Sequence, residues 1–223
     1  MVRGAAHPAR RHVLAALLPS AVVAVEAFED LPGEAPFPGE EHLIAKAVEA
    51  RRREFITARR CARMALRTFG YPDAPIHPGS RREPRWPDGM RGSITHCASY
   101  RAAAVARAAD VDLLGIDAEP NGPLPEGVAE SITVPDEADL LDRLASSHPD
   151  VHWGRLLFSA TESVYKAWFP VTWRWLGFED ARVTIDPDAG TFTATLLVTD
   201  ARADGGTPLT ILPGRFAVDR GLS

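Results

Sequence analysis

Glu162 and Lys166 stand four residues apart in the segment Leu156 to Pro170. On a helix, such a carboxylate and ammonium project from neighbouring turns of one face. They are either a surface ion pair worth a few tenths of a kcal/mol or two groups meeting a common ligand. Asp117 and Glu119 lie two apart at the end of the apolar stretch Leu113 to Pro120. If that stretch is a buried strand, both carboxylates point to the same side. They then form an exposed acidic strand end, or they are held together by a hard divalent cation such as magnesium, which takes oxygen ligands. A third group is cationic. Between Arg51 and Arg67 there are seven arginines and one acid, Glu54. Arg52, Arg59 and Arg63 fall near one helical face, with Arg51 two turns from Arg59. These guanidiniums make a solvated basic face or a phosphate site built from planar forks. His96 is either a satisfied structural histidine or a donor to a phosphate. Carboxylates in the second half and arginines in the first would together suit a polyanion held through a metal ion.

The elements that must carry these groups follow from pattern and punctuation. Around Glu162 and Lys166, Ser159 has capping-box spacing to Glu162, and Val164, Ala167 and Trp168 give an apolar stripe. Pro170 predicts the helix stop. Glu40 to Phe69 contains neither Gly nor Pro and predicts a long helix, broken once near Arg51. Gly70 to Gly92 holds five prolines and reads as irregular, with Arg81, Arg82, Arg85 and Trp86 on it. Gly92 to Cys97, a polar turn and Ala98 to Ala109 predict two strands. Asp136 to Ala145 predicts a helix, and Trp173, Trp175, Leu176 and Phe178 an aromatic cluster. Arg182 to Asp186 and Thr191 to Val198 predict strands about the turn Asp188-Ala189-Gly190. Leu209 to Leu212 and Arg215 to Val218 read as two more. Near the start, a helical pattern over Val13, Leu14, Leu17 and Leu18 passes into a β pattern at Val22, Val23 and Val25. Helix then strand accounts for this better than the secretory or twin-arginine signal that Arg10-Arg11 suggests.

The chain of 223 residues has 45% hydrophobic and 25% charged residues, which fits one large globular domain or two small ones. A net charge of −5 argues against a nucleic-acid footprint, which is usually basic. No run approaches the roughly 18 apolar residues that would span a membrane. Cys61 and Cys97 have no C-x-x-C spacing, so both are expected as reduced thiols in the cytoplasm. With His96 they lack any standard zinc-ligand spacing.

Four segments together resemble the Sfp-type 4′-phosphopantetheinyl transferases, in particular the branch similar to enterobactin synthase component D found in actinobacteria. They are Glu54-Phe55 with Arg59 and Cys61-Ala62-Arg63; Trp86-Pro87-Asp88-Gly89 through Gly92-Ser93-Ile94-Thr95-His96-Cys97; Gly115-Ile116-Asp117-Ala118-Glu119-Pro120; and Phe158-Ser159-Ala160 with Glu162, Lys166 and Ala167-Trp168-Phe169-Pro170. The resemblance implies a pseudo-twofold α+β fold of two similar subdomains, each with a small antiparallel sheet and a long helix. The halves would be residues 1–112, on the coenzyme A 3′-phosphate side, and 113–223, carrying the metal-binding carboxylates and the catalytic helix.

The activity implied is magnesium-dependent transfer of 4′-phosphopantetheine from coenzyme A to a serine of acyl or peptidyl carrier proteins, of the holo-acyl-carrier-protein synthase type, with release of 3′,5′-ADP. Asp117, Glu119 and Glu162 would hold magnesium, or manganese in its place. Glu162 and Lys166 would be catalytic. Arg51, Arg59, Arg81, Thr95, His96 and Lys166 would contact coenzyme A. A monomer acting without nucleic acid or membrane is implied, serving polyketide, nonribosomal peptide or siderophore assembly. Two positions depart from the family pattern. Thr161 stands where the family has a lysine before the motif glutamate, which raises the alternative of a weakened or inactive coenzyme A and carrier-protein binding homologue. Pro78 stands where relatives have a basic residue, with Arg81 or Arg82 as substitutes. Without the resemblance, the residues would also suit another magnesium-dependent phosphate enzyme, such as a nucleotide hydrolase.

Overall fold

A computed structural model describes residues 13–128, 132–133 and 135–223. The Arg10-Arg11 pair therefore lies outside the described residues. After a short helix α1 (Val13–Leu17), the first sheet is built from β1 (Val23–Ala27), β2 (Met90–Cys97) and β3 (Tyr100–Arg107), antiparallel in the order β1-β3-β2. Between β1 and β2 runs α2 (Glu49–Arg67). Strand β3 is covered on both faces, and this explains its alanines. Ala103 and Val105 meet Cys61, Ala62, Ala65 and Leu66 of α2. Ala102, Ala104 and Ala106 face Leu14, Leu114, Ile116 and Ala118. Small side chains on both faces let a helix and an extended segment approach the same strand closely.

The second half begins with α3 (Pro135–Ser147) and α4 (Trp153–Thr172), followed by β4 (Ala181–Asp186), β5 (Thr191–Leu196) and β6 (Ile211–Arg215) in antiparallel order β4-β5-β6. This sheet buries one face only. Val183, Ile185, Phe192, Ala194 and Leu196 pack on Leu156, Leu157, Ala160, Val164 and Trp168 of α4, while alternate residues of β4 are exposed. The molecule is thus α+β, with two three-stranded antiparallel sheets and a long helix on each.

Several sequence expectations are corrected. Residues 40–69 are not one helix. A 3-10 turn (Glu41–Leu43) comes first and α2 starts at Glu49, so the break precedes Arg51. Ser159 does not cap a helix; α4 starts six residues earlier at Trp153, and Ser159 is buried inside it. The buried indole of Trp153, donating to His148 O at 3.1 Å, ties down that first turn. Pro170 does not stop α4 either. It sits in the last turn, where a missing N–H costs one bond, and buried Trp168, Phe169 and Val171 hold the turn helical. The helix ends instead at Trp173, left-handed at φ 58°, whose N–H donates to Phe169 O. The tail forms one strand, Ile211–Arg215, in place of two.

Leu113 to Pro120 is extended but is no ladder strand. Its Ile116 and Ala118 N–H groups donate to the hydroxyls of Ser93 and Thr95 on β2, at 3.1 Å each. Side-chain acceptors thus replace the backbone of a neighbouring strand. Sidedness survives: Leu114, Ile116 and Ala118 are buried, and Asp117 and Glu119 turn the other way. Gly115 sets how near this segment comes to α4, because a Cβ there would lie 2.0 Å from Ser163 O and 2.8 Å from Ala167 N. Gly115→Ala is expected to lower stability by about 1–3 kcal/mol through overpacking. A urea midpoint equal to that of the wild type would refute this close approach.

Candidate active site

A cleft of about 670 Å³ opens between α2, the irregular loop after it, β2, the extended segment and α4. Every residue to which the resemblance gave a catalytic, metal-binding or coenzyme A role lines it. From α2 come Arg51 and Arg59, from the loop Arg81, and from β2 Thr95 and His96. The extended segment contributes Asp117 and Glu119, and α4 contributes Glu162 and Lys166.

Lys166 Nζ donates to Asp117 Oδ1 at 2.6 Å and to Ile116 O at 3.3 Å. The lysine therefore pairs across the cleft wall with Asp117, and the i,i+4 surface ion pair with Glu162 is not formed. Thr95 Oγ1 also donates to Asp117 Oδ1, at 3.1 Å. The other oxygen, Asp117 Oδ2, is buried without a hydrogen-bond partner. Glu119 Oε2 accepts from Arg155 Nη1 at 3.1 Å. Burial, then the charge of Asp117, pushes the Glu119 carboxyl above its ordinary range. Burial likewise raises Glu162, against the lowering effect of Lys166. Among the described residues, no three His, Cys, Asp or Glu side chains are gathered closely enough to hold a metal ion as they stand.

Across the cleft, the basic face of α2 divides in two. Arg63 turns inward and is buried on Glu40, at 2.8 Å. Arg51 and Arg59 face the cleft. Arg59 lies over the Phe55 ring, 3.5 Å from its centroid, and its Nε donates to Ile76 O at 3.2 Å. Burial lowers its pKa to about 10, so it stays cationic at neutral pH. The Arg51 guanidinium rests against the His96 ring, and Glu54 Oε2 lies 3.3 Å from Arg51 Nη1 and 3.4 Å from His96 Nδ1.

Burial first, then the Arg51 charge, holds the His96 pKa at about 4. A neutral imidazole can donate one N–H while Arg51 beside it supplies charge. The unfolded histidine takes up a proton near pH 6.5 and the folded one does not until about 4. Stability is therefore expected to fall as pH drops through that window. His96→Gln should flatten this slope, measured as urea midpoints between pH 7 and 4.5; an unchanged slope would assign it to other groups.

Matches to known proteins follow the same geography. Residues 39–106 match the 4′-phosphopantetheinyl transferase N-terminal domain, and residues 113–208 match the 4′-phosphopantetheinyl transferase superfamily. The 4′-phosphopantetheinyl transferase Svp of Streptomyces mobaraensis is 53% identical over 213 residues, covering 94% of this chain and 86% of Svp. The chain belongs to the 4′-phosphopantetheinyl transferase superfamily. The transferase is also 48% identical to 4′-phosphopantetheinyl transferase PptT of Mycobacterium tuberculosis, over 94% of this chain and 95% of PptT. Its likeness to enterobactin synthase component D of Salmonella typhi is 38% over 143 residues, 63% of this chain and 58% of that protein.

Thr161 of the transferase does not line the cleft. It is buried, and its hydroxyl donates to Leu157 O at 3.0 Å within α4. Sequence reasoning passed over two groups next to the site. Arg155 reaches back to Glu119, and buried Glu40 accepts from both Arg63 Nη1 and the Ile76 N–H. No local spacing announces either one, because their partners are distant in sequence. The predicted cluster of Trp173, Trp175, Leu176 and Phe178 does not form as one group: Leu176 is buried, Phe178 stacks on Phe158, and Trp173 and Trp175 stand exposed beside Phe169 and Tyr165.

Proposed function

We propose that this transferase moves the 4′-phosphopantetheine arm of coenzyme A onto a serine of an acyl or peptidyl carrier protein, the holo-acyl-carrier-protein synthase reaction. The observation that carries this reading is the one cleft that gathers Arg51, Arg59, Arg81 and His96 with Asp117, Glu119, Glu162 and Lys166. Guanidiniums suit the phosphates of coenzyme A, including its 3′-phosphate. The acidic wall suits a magnesium ion, or manganese in its place. Its donors are hard carboxylate oxygens, and Asp117 Oδ2 is a buried acceptor still lacking a partner. Asp117, Glu119 and Glu162 would hold the ion, which when bound supplies positive charge against the pyrophosphate.

The chain's own residues then divide the work. Glu162 accepts the serine proton, directly or through a water, as the serine oxygen bonds to the β-phosphorus and the bond to the 3′,5′-ADP leaving group breaks. Lys166, held by Asp117 and Ile116 O, stands where charge grows on the transferred phosphoryl. Residues 1–112 and 113–223 act as the two walls of this cleft in one chain, so a monomer suffices. No helix among the described residues is long and apolar enough to cross a membrane. Two buried free thiols, Cys61 and Cys97, fit a cytoplasmic setting.

Incubation with coenzyme A, magnesium and an apo carrier domain should add one phosphopantetheine to the carrier, weighed by mass spectrometry. No adduct, where a related transferase modifies the same carrier, sinks the reading. Release of inorganic phosphate from nucleotides, with indifference to the carrier, would point to a hydrolase instead. The burial of Thr161 away from the cleft speaks against an inactive relic. Tight coenzyme A binding without turnover, restored by Thr161→Lys, would reinstate it.

A further inference from the structure

We infer that Arg155 is a positioning residue that fixes the Glu119 carboxylate for a divalent cation by cross-linking it to the turn that follows. The inference rests on the reading of Glu119 as a metal ligand. Arg155 stands in the first turn of α4, outside the cleft lining, so it acts through Glu119 and touches no reactant.

Its guanidinium spends its donors on three acceptors within five residues of chain. Nη1 donates to Glu119 Oε2 at 3.1 Å, Nε to Gly122 O at 3.4 Å and Nη2 to Pro123 O at 2.5 Å. Only a planar fork can serve a carboxylate and two carbonyls in fixed directions at once. The turn is itself anchored. Asn121 Oδ1 accepts the His152 N–H and Asn121 Nδ2 donates to Asp150 O, at 2.9 Å each. Behind it, the Glu119 backbone exchanges two hydrogen bonds with Ser223, both 2.9 Å. The ligand backbone is therefore pinned from one side and the side chain from the other. Arg155 engages one carboxylate oxygen and leaves the second for the cleft. It also offsets the repulsion between Glu119 and Asp117, which keeps the two carboxylates on one wall before any ion arrives.

Groups that orient a metal-binding carboxylate typically change metal affinity by about 10–100-fold when removed. The test is a manganese titration of the full chain with coenzyme A present, reading free Mn²⁺ by electron paramagnetic resonance, with thermal unfolding alongside. Arg155→Met is expected to weaken Mn²⁺ binding within that range, Arg155→Lys by less, and Arg155→Met to add little in a Glu119→Gln background. Unchanged or tighter Mn²⁺ binding in the single variants overturns the inference, as does an equal loss in the Glu119→Gln background. If Arg155→Met does not fold, Arg155→Lys decides, since it keeps the charge and loses the fork. A wild-type chain that binds no Mn²⁺ would remove the metal reading itself, whereas normal wild-type binding with indifferent variants would remove Arg155 alone.

Discussion

Glu162→Gln is expected to lower the rate of carrier-protein modification at saturating coenzyme A and magnesium by about 10²–10⁴-fold, with folding close to wild type. The substitution keeps the shape and one oxygen acceptor, and removes the capacity to take a proton together with one carboxylate of the proposed metal-binding set. Three features single out Glu162 among the acids of the cleft. Asp117 is committed to Lys166 and Thr95, and Glu119 to Arg155, whereas no hydrogen bond or ion pair to the Glu162 carboxylate is present among the described residues. Burial raises its pKa, which makes it a better proton acceptor than a solvated carboxylate. Finally, it lies one helical turn before Lys166, so the proposed proton acceptor and the proposed charge-stabilising group share a rigid support. The sign of the pH effect follows. The working form is the carboxylate, so turnover should decline as pH falls through a pKa above the usual glutamate value of about 4.3. Single-turnover transfer followed by carrier mass, with calorimetric coenzyme A binding as a control, measures both. A Gln variant within about tenfold of wild type would remove Glu162 from proton transfer.

The residues that line the cleft were readable in the sequence more fully than the scaffold that aims them. Alternation alone placed Asp117 and Glu119 on one side, and this held although the segment is not a strand. Alternation reports which side of an extended chain is buried, whatever satisfies its N–H groups. Here the acceptors are the hydroxyls of Ser93 and Thr95, a substitution that hydropathy does not record. The ends of α4 were misread for a related reason. Ser159 and Pro170 carry strong local signals, but burial of Trp153 at one end and Trp168 and Val171 at the other outweighs them. Thr161 looked decisive as a departure from a pattern, and only the helix phase shows that it faces inward. Arg155 and Glu40 could not be seen at all. Their partners lie 36 and 23 residues away, and a charge acquires meaning at that range only once the fold is known.

Glu40→Ala is expected to destabilise the protein by about 3–5 kcal/mol, the range for leaving a buried charge without its partner. Glu40 is completely buried; its Oε1 accepts from Arg63 Nη1 at 2.8 Å and from the Ile76 N–H at 2.7 Å. Removing the carboxylate strands the Arg63 guanidinium, itself 93% covered by the surrounding protein as a side chain at 7% exposure. It also frees the chain at Ile76, whose carbonyl receives Arg59 Nε. One acid thus joins α2 to the start of the loop that carries Arg81, and it holds in place the backbone against which Arg59 is braced. Its loss should therefore reach the cleft as well as the core. Glu40→Gln keeps an oxygen for the Ile76 N–H and gives up the ion pair, so its coenzyme A KM should rise less than that of Glu40→Ala, with kcat changed little in either. Urea midpoints give the stability term and steady-state kinetics the split between KM and kcat. An alanine variant that unfolds at the wild-type midpoint would show that Arg63 finds another partner or water. One that loses kcat with KM unchanged would mean that the Glu40 clamp supports the acidic wall of the cleft, and the division of labour drawn between the two walls would have to be redrawn.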